Sequence, residues 1–455
     1  MAPTEGDRYH QIAEQALRCR DRFGAEYGQR HFTVHPSLGA LMSTITIIGS
    51  GITGVTTAYA LAARGYSVTV FDRLRYPAME TSFANGGQLS ASNAEVWNST
   101  RTILKGLRWM LRNDAPLLLN PSPSFHKYTW LAEFVGQIRH YRRNTIETTR
   151  LAIAARQHLF DLADREDIDF DLERRGILHV YSNKAEFDAA SRVNELLLQG
   201  GLDRRPVTPS EMRVIEPALQ TQYYGGFFTP SDSTGDIHKF TRGLAAACER
   251  RGVRFVFGAQ ICDMRADSEG VRIRWQEDGA VKKELKSQKA VVCAGIGSRR
   301  IASMVGDRVN IYPVKGYSIT VNLADEASRI AAPCVSLLDE ATKIVTSRLG
   351  QDRFRVAGTA EFNGENRDIR ADRIRPLVRW VERFFPGVST AQVVPWAGLR
   401  PMTPSMLPRV GRGRRPNIFY NTGHGHLGWT LSPVTAEMVA DAIMTDEPGR
   451  LRERD

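Results

Sequence analysis

The chain has 455 residues, 42% hydrophobic and 24% charged, with a formal net charge of +11. Its length exceeds one ordinary core, so two interleaved domains of a globular protein are expected. No apolar run approaches the roughly 20 residues that span a bilayer, and five scattered cysteines without a CxxC exclude a disulfide framework and a zinc site and fit a reducing cytoplasm.

The charge suits an anionic substrate or an anionic membrane surface. Nucleic acid is not expected as a partner, because no basic helix, aromatic platform or reader motif accompanies the charge. No metal is expected either. The chain has no HExxH, and His31 and His35 stand in a β-like stretch before Pro36, where a four-residue spacing does not converge. Residues 1–41 carry five arginines against five acids and no apolar signal segment, so they read as an N-terminal arm. Met42, directly before the first predicted strand, is a candidate start.

Ile45–Ile48 predicts a strand, Gly49-Ser50-Gly51-Ile52-Thr53-Gly54 a glycine turn, the following alanine-rich stretch a helix, and Ser67–Phe71 a second strand ending at Asp72. The first glycine permits the tight turn, the second lets backbone approach a pyrophosphate, and the third lets helix pack on strand. The helix start aims unpaired N–H groups and a positive dipole end at the phosphates. Val55, Ala58, Leu61 and Ala62 form its buried face, and Gly65 its left-handed C-cap. Asp72, 18 residues beyond Gly54 (72 − 54), is placed to accept ribose hydroxyls and to repel a 2′-phosphate. A dinucleotide site follows; at this point FAD and NAD both fit it.

Glu80–Ser90 is a polar, glycine-containing segment suited to wrap a ribityl chain and pyrophosphate. Residues 101–156 hold ten Lys/Arg against three acids, interleaved with Trp109, Met110, Leu111, Leu117–Leu119, Trp130 and Phe134. Two readings stand for them: helices covering a substrate domain with solvated arginines, or a basic amphipathic segment lying on an anionic membrane. Helices are expected over 150–165, 183–200, 239–252, 371–385 and 431–444. Strands are expected at 176–181, around 225–236, at 253–257, from 260, at 290–294 and over 312–320. Gly295-Ile296-Gly297-Ser298 lacks a third glycine and a following strand with a terminal acid, so one dinucleotide site is the better count.

Five segments in order carry a resemblance. They are the GxGxxG unit with Asp72, Thr81–Gln88, Pro313–Ser318, Gly398–Pro404, and Gly423–Gly425 with Leu427–Thr430. From about Ser43 to Asp446 the chain resembles the bacterial D-amino acid dehydrogenase small subunits, within the FAD-dependent amine and amino acid oxidase superfamily. The resemblance implies an α/β fold with a discontinuous Rossmann-like FAD-binding domain and a mainly antiparallel α+β substrate domain. The expected FAD-binding segments are 42–110, 150–175, 205–222, 232–308 and 396–448, and the substrate segments 111–149, 176–204, 223–231 and 309–395.

It also implies non-covalent FAD held by Gly49, Gly51, Ile52, Gly54, Asp72, Arg73, Thr81, Ser82, Asn85, Gly86, Gly87, Gln88 and Leu89. Further on, the implied contacts are Ile261, Gly295, Gly425, His426, Leu427, Gly428, Trp429 and Thr430. Arg400 matches the arginine for the substrate carboxylate, a task suited to a bidentate guanidinium. Tyr317 matches a pocket tyrosine, although a packed strand aromatic is an equal reading. The implied reaction takes a D-amino acid to a 2-oxo acid and ammonia by hydride transfer from Cα to flavin N5, with oxidation of a secondary amine (sarcosine, proline or hydroxyproline) as the alternative. The electron acceptor stays open between oxygen and a quinone or respiratory chain at the inner membrane face.

Departures from the family pattern bear on substrate choice. Gly86 stands for alanine, His426 for threonine, Ser405-Met406 for aspartate-glycine, and Ser92–Trp97 for a more proline-rich stretch.

Overall fold

The computed structural model of the chain describes residues 43–109, 116–277 and 283–446. The arm 1–41, Met42, His31, His35 and the apolar pair Met110 and Leu111 lie outside the described residues. A six-stranded sheet runs in the spatial order Arg409–Arg412, Ile418–Thr422, Lys289–Val292, Thr44–Ile48, Ser67–Phe71 and Arg254–Val256, all parallel except the first pair. The central strands are buried on both faces, Thr46 included, because helices and a small meander cover them. Ile45, Ile47, Val68 and Val70 pack with the helices Ile52–Ala62, Ile237–Arg250 and Gly428–Thr445, while Ile48, Phe71 and Val292 pack beneath the strands Ala259–Asp267 and Gly270–Glu277.

The larger sheet is mainly antiparallel and runs Val393–Met402, Tyr312–Asn322, Arg353–Phe362, Ile344–Leu349, Ser336–Asp339, Ile177–Tyr181, Gly225–Thr229 and Arg205–Val207, with Leu117–Leu119 beside Arg353–Phe362. Its core lies against the helix Ala371–Phe384, through Leu377, Trp380 and Val381. A short pair, Gln88–Leu89 with Ser233–Thr234, stitches the polar segment after the second strand to the rest.

The strand pattern corrects three expected boundaries. Arg205–Val207, expected among the FAD-binding segments, pairs in the larger sheet, as an edge strand where Pro206 needs no ladder hydrogen bond. Residues 396–402 likewise belong there, because Val393–Met402 pairs with Tyr312–Asn322 along its whole length. The boundary at 149/150 falls inside one continuous helix, Tyr141–Glu166. Its first half hides from apolar periodicity because Asn144, Thr145, Thr148 and Thr149 are buried polar residues, and Thr148 and Thr149 bond back to the carbonyls of Asn144 and Thr145 at 2.7 and 2.8 Å.

In the glycine unit, Gly49 has φ +109 and turns beneath Cys293, while a Cβ on Gly54 would stand 1.8 Å from the Gly49 carbonyl oxygen. That obstacle is backbone, so no rotamer change relieves it. Gly54→Ala should therefore cost about 2 kcal/mol or more of stability, read as a lower urea midpoint. An unchanged midpoint would show that helix and strand do not meet at this glycine.

Candidate active site

One cavity of about 1170 Å³ opens at the carboxyl ends of strands Thr44–Ile48, Ser67–Phe71 and Lys289–Val292 and runs across to the larger sheet. The carboxyl ends of a parallel sheet are where ligands bind in such folds. Every residue expected at the cofactor or substrate borders this cavity except Gly54 and Leu89. Gly54 serves helix packing, as shown above. Leu89 turns its side chain into the core beneath the parallel sheet, since successive strand residues face opposite ways.

At the sheet end, Gly51 has open space on its cavity side, with only the Ser82 hydroxyl 3.5 Å from where a Cβ would stand. Ser82 Oγ accepts the Ile52 N–H at 3.1 Å, at the helix start that faces the cavity. Asp72 accepts from the Ser50 N–H and hydroxyl, both at 2.7 Å, and from the Leu74 N–H at 2.9 Å, so it fixes the turn as well as facing the cavity. Arg73 pairs with Glu80. Ile261 borders the cavity, and its carbonyl accepts from Arg300 at 3.0 Å.

Further along, the 81–90 segment is pinned to the larger sheet. Ser318 and Ser347 hydroxyls donate to the Ala84 and Gly86 carbonyls at 2.8 and 2.7 Å, Arg355 donates to the Asn85 carbonyl at 2.9 Å, and Gln88 donates to Ser336 Oγ at 2.8 Å. The Asn85 side chain folds back to accept the Gly87 N–H at 2.9 Å. Gly86 stands where the family pattern has alanine; a Cβ there would meet Val345 at 2.8 Å, so glycine makes room for this chain's valine. Thr430 Oγ1 accepts the Ser90 N–H at 3.2 Å and joins this segment to the turn Gly425–Thr430, more than 330 residues later.

Arg400 sits at the far side. In the paired strands Tyr312–Asn322 and Val393–Met402, Val314 faces Arg400, Gly316 faces Gly398 and Ser318 faces Trp396. All six therefore share one face of the sheet, and Gly316, Gly398, Ser318, Trp396 and Arg400 border the cavity. A Cβ on Gly316 would lie 2.3 Å from the guanidinium nitrogens of Arg400, and one on Gly398 would lie 2.1 Å from the Trp396 ring. The two glycines form a bare floor on which guanidinium and indole lie. Arg400 donates to the Thr359 carbonyl at 3.1 Å and forms no ion pair among the described residues. The surrounding protein desolvates the guanidinium and pushes it down to about 10, still a cation at neutral pH.

Tyr317 requires a correction. It lies one residue from Gly316 and so points to the opposite face, into the core of the larger sheet. Its hydroxyl donates to Glu361 at 2.6 Å, and Lys315 stands 3.5 Å from the same carboxylate. Burial, with the Glu361 carboxylate adding to it, raises the hydroxyl above the ordinary tyrosine range. It is the packed strand aromatic and offers no hydroxyl to the cavity.

Apart from Gly86, the departures from the family pattern meet at one place. The His426 ring stacks on Trp97 at 5.0 Å between centroids and 22° between planes, and its Nε2 lies 3.0 Å from the Asn93 carbonyl oxygen. The backbone N–H of Trp97 donates to the Met406 thioether sulfur. Met406 keeps a left-handed backbone, φ 63, at the position the family gives to glycine, and buries its side chain in return. Sequence reasoning marked each departure separately; only the fold joins them. It also gave no role to Gly316, whose signal was a glycine in mid-strand, a mark of close approach.

A glycine turn at a parallel sheet, opening on a cavity that ends at an arginine without an ion-pair partner among the described residues, defines a dinucleotide-dependent oxidoreductase. Residues 44–442 match the FAD dependent oxidoreductase (DAO) family, and the chain belongs to it. FAD is its cofactor. The glycine floor at Gly51 and the helix N-terminus behind it fit a pyrophosphate. The chain is 64% identical over 407 residues, 90% of its length and 98% of the relative's, to "D-amino acid dehydrogenase 3" of Mesorhizobium japonicum. It is 41% identical to a D-amino acid dehydrogenase of Paramagnetospirillum magneticum, over 88% of this chain and 94% of that one. Among solved structures it shares the fold of glycine oxidase from Geobacillus kaustophilus, with TM-score 0.69, 20% identity, and 90% and 96% of the two chains covered. L-proline dehydrogenase from P. horikoshii also has TM-score 0.69, at 16% identity, over 90% and 95%.

Because the guanidinium is the movable tip of a side chain, Gly316→Ala should leave folding and FAD content intact yet push Arg400 off its floor. A fall of about tenfold in kcat/KM for a carboxylate substrate is expected, the loss of one charge-assisted hydrogen bond. Full activity in this variant would mean that Arg400 works from another position.

Proposed function

We propose that the chain oxidises a D-amino acid to a 2-oxo acid and ammonia. The observation that carries this reading is Arg400, a desolvated cation with no carboxylate partner among the described residues, facing the cavity that the cofactor residues also border. The names of the similar dehydrogenases supply the D-amino acid class and favour a primary amine over the secondary amines.

In this reading Gly49, Gly51, Ile52, Asp72 and Arg73 hold the adenosine and pyrophosphate end, with Ile261 and Gly295 beside it. Thr81, Ser82, Asn85, Gly86, Gly87 and Gln88 follow the ribityl chain. Gly425, His426, Leu427, Gly428, Trp429 and Thr430 form the turn beneath the isoalloxazine ring. FAD held by these residues would supply the two-electron oxidation of the substrate's Cα–N bond, and water would hydrolyse the imino acid to the 2-oxo acid and ammonia. The chain's own work is positional. Arg400 grips the planar carboxylate through two N–H groups, and Gly316 and Gly398 leave room for that grip. The FAD-binding domain is built on the six-stranded sheet and the substrate domain on the larger one, with boundaries that follow the strands.

We further place the electron acceptor at a quinone or respiratory chain on the inner membrane face, with contact through residues 101–156. Trp130 is buried there, but Phe125 is 87% exposed, Leu104 54% and Tyr128 48%, and Arg139, Arg142 and Arg143 of the same segment are exposed. A segment carrying both exposed apolar side chains and exposed arginines suits a peripheral, anionic surface. No helix of the described residues is long and apolar enough to cross a membrane.

Anaerobic mixing of the yellow holoenzyme with D-amino acids, L-amino acids and secondary amines tests the reaction: bleaching by the D-series is expected, and bleaching by secondary amines alone would replace this reading. Arg400→Met should lose about one to two decades in kcat/KM, corresponding to about 1.5 to 3 kcal/mol. The same variant should raise the unfolding midpoint, because it removes a desolvated cation lacking a counter-ion. Unchanged kcat/KM would remove Arg400 from the site.

A further inference from the structure

We propose that His426 contacts the substrate, its Nδ1 accepting an N–H of the amino group while Arg400 holds the carboxylate. The inference rests on the reading of the cavity given above.

His426 belongs to the turn Gly425–Leu427, which runs beside the strand Val393–Met402 that carries Arg400, with a bridge from Met402 to His424. Its Nε2 lies 3.0 Å from a carbonyl oxygen, that of Asn93. A carbonyl only accepts, so Nε2 carries the hydrogen and donates. The ring is neutral: desolvation, outweighing the Asn93 bond and reinforced by the charges of Arg400 and Lys343, pushes it down to about 4. In a neutral ring with hydrogen on Nε2, Nδ1 is a bare lone pair. That atom has no partner among the described residues and is not sealed in the protein, since it is absent from the buried orphan atoms while the residue borders the cavity. Trp97, stacked flat on the ring, limits its rotation.

A fixed lone pair opening on a cavity calls for a donor. A carboxylate or carbonyl would be repelled by it; an amine N–H is complementary. Proton transfer is a different matter. The α-ammonium of a free amino acid is a far weaker acid than this imidazolium, so His426 accepts a hydrogen bond without serving as the base, and the amine reacts in its neutral form. With carboxylate and nitrogen both anchored, two of the four groups on Cα are fixed. Exchanging the remaining two, hydrogen and side chain, then turns the hydrogen away from the flavin, which gives the site its handedness. Threonine, which the family pattern has here, has a shorter side chain and no second ring atom to brace it.

Two substitutions separate the ring's halves. In His426→Gln the amide nitrogen takes the place of Nε2 and keeps the bond to Asn93, with no acceptor at the Nδ1 position. His426→Asn puts its amide oxygen near Nδ1 and gives up the Asn93 bond. Flavin reduction by D-alanine is followed anaerobically on each holoenzyme by stopped flow. We expect the limiting rate to fall tenfold or more in the glutamine variant and to fall clearly less in the asparagine variant, which keeps an acceptor near the Nδ1 position. Equal rates in the two variants would overturn the inference. A second measurement needs no variant. Wild-type enzyme should be reduced at least tenfold more slowly by N,N-dimethyl-D-alanine, whose neutral amine has no N–H, and equal rates would again overturn it. If wild-type enzyme is bleached by no D-amino acid at all, the reading of the cavity itself fails, and this inference with it.

Discussion

A guanidinium taken out of water without a counter-ion lowers the stability of any fold that holds it, and much of this protein's larger sheet is arranged to hold one. Arg400 needs a floor with no Cβ, a partner for one N–H and an open face. Gly316 and Gly398 form the floor, the Thr359 carbonyl is the partner, and the cavity is the open face. The cost is recovered when a carboxylate arrives, because each N–H that lacked an acceptor then finds an anionic one. Substrate binding thereby offsets a strain that the unliganded chain carries.

The second requirement is that the cofactor end and the substrate end, built on different sheets, stay in register. Side-chain bonds to the 84–90 backbone do this. Ser318, Ser347 and Arg355, all from the larger sheet, donate to three successive carbonyls of Ala84, Asn85 and Gly86. Thr430, from the turn that begins the last helix, accepts from Ser90. Buried Asp232 completes the arrangement by accepting the N–H groups of Ala91 and Ser92, each at 3.0 Å. A short polar segment without much structure of its own is thus fixed from both sides.

How much of this was legible in the sequence depended on whether the cause was local. The unit from Ile45 to Asp72 was readable because each glycine answers a backbone constraint within a few residues, and Gly65 adopts the left-handed conformation expected of it. Arg400 was readable by chemistry. Tyr317 was not, because its facing depends on which residue of Val393–Met402 pairs with Val314, and pairing register is a property of two distant strands. The first half of the helix Tyr141–Glu166 was hidden by buried asparagine and threonines that satisfy themselves on the preceding turn. The departures at Trp97, Met406 and His426 looked like three unrelated changes, and they are one contact cluster.

The central claim is that Arg400 reads a carboxylate with both arms of its guanidinium. The most direct test is the dissociation constant of a plain carboxylate, propionate, from the oxidised holoenzyme, followed by perturbation of the flavin spectrum in wild type and in Arg400→Lys. A lysine keeps the charge but cannot grip both oxygens in a plane. A loss of about tenfold or more in affinity, with FAD still bound, is the predicted result. Equal affinity in the two proteins would contradict the account.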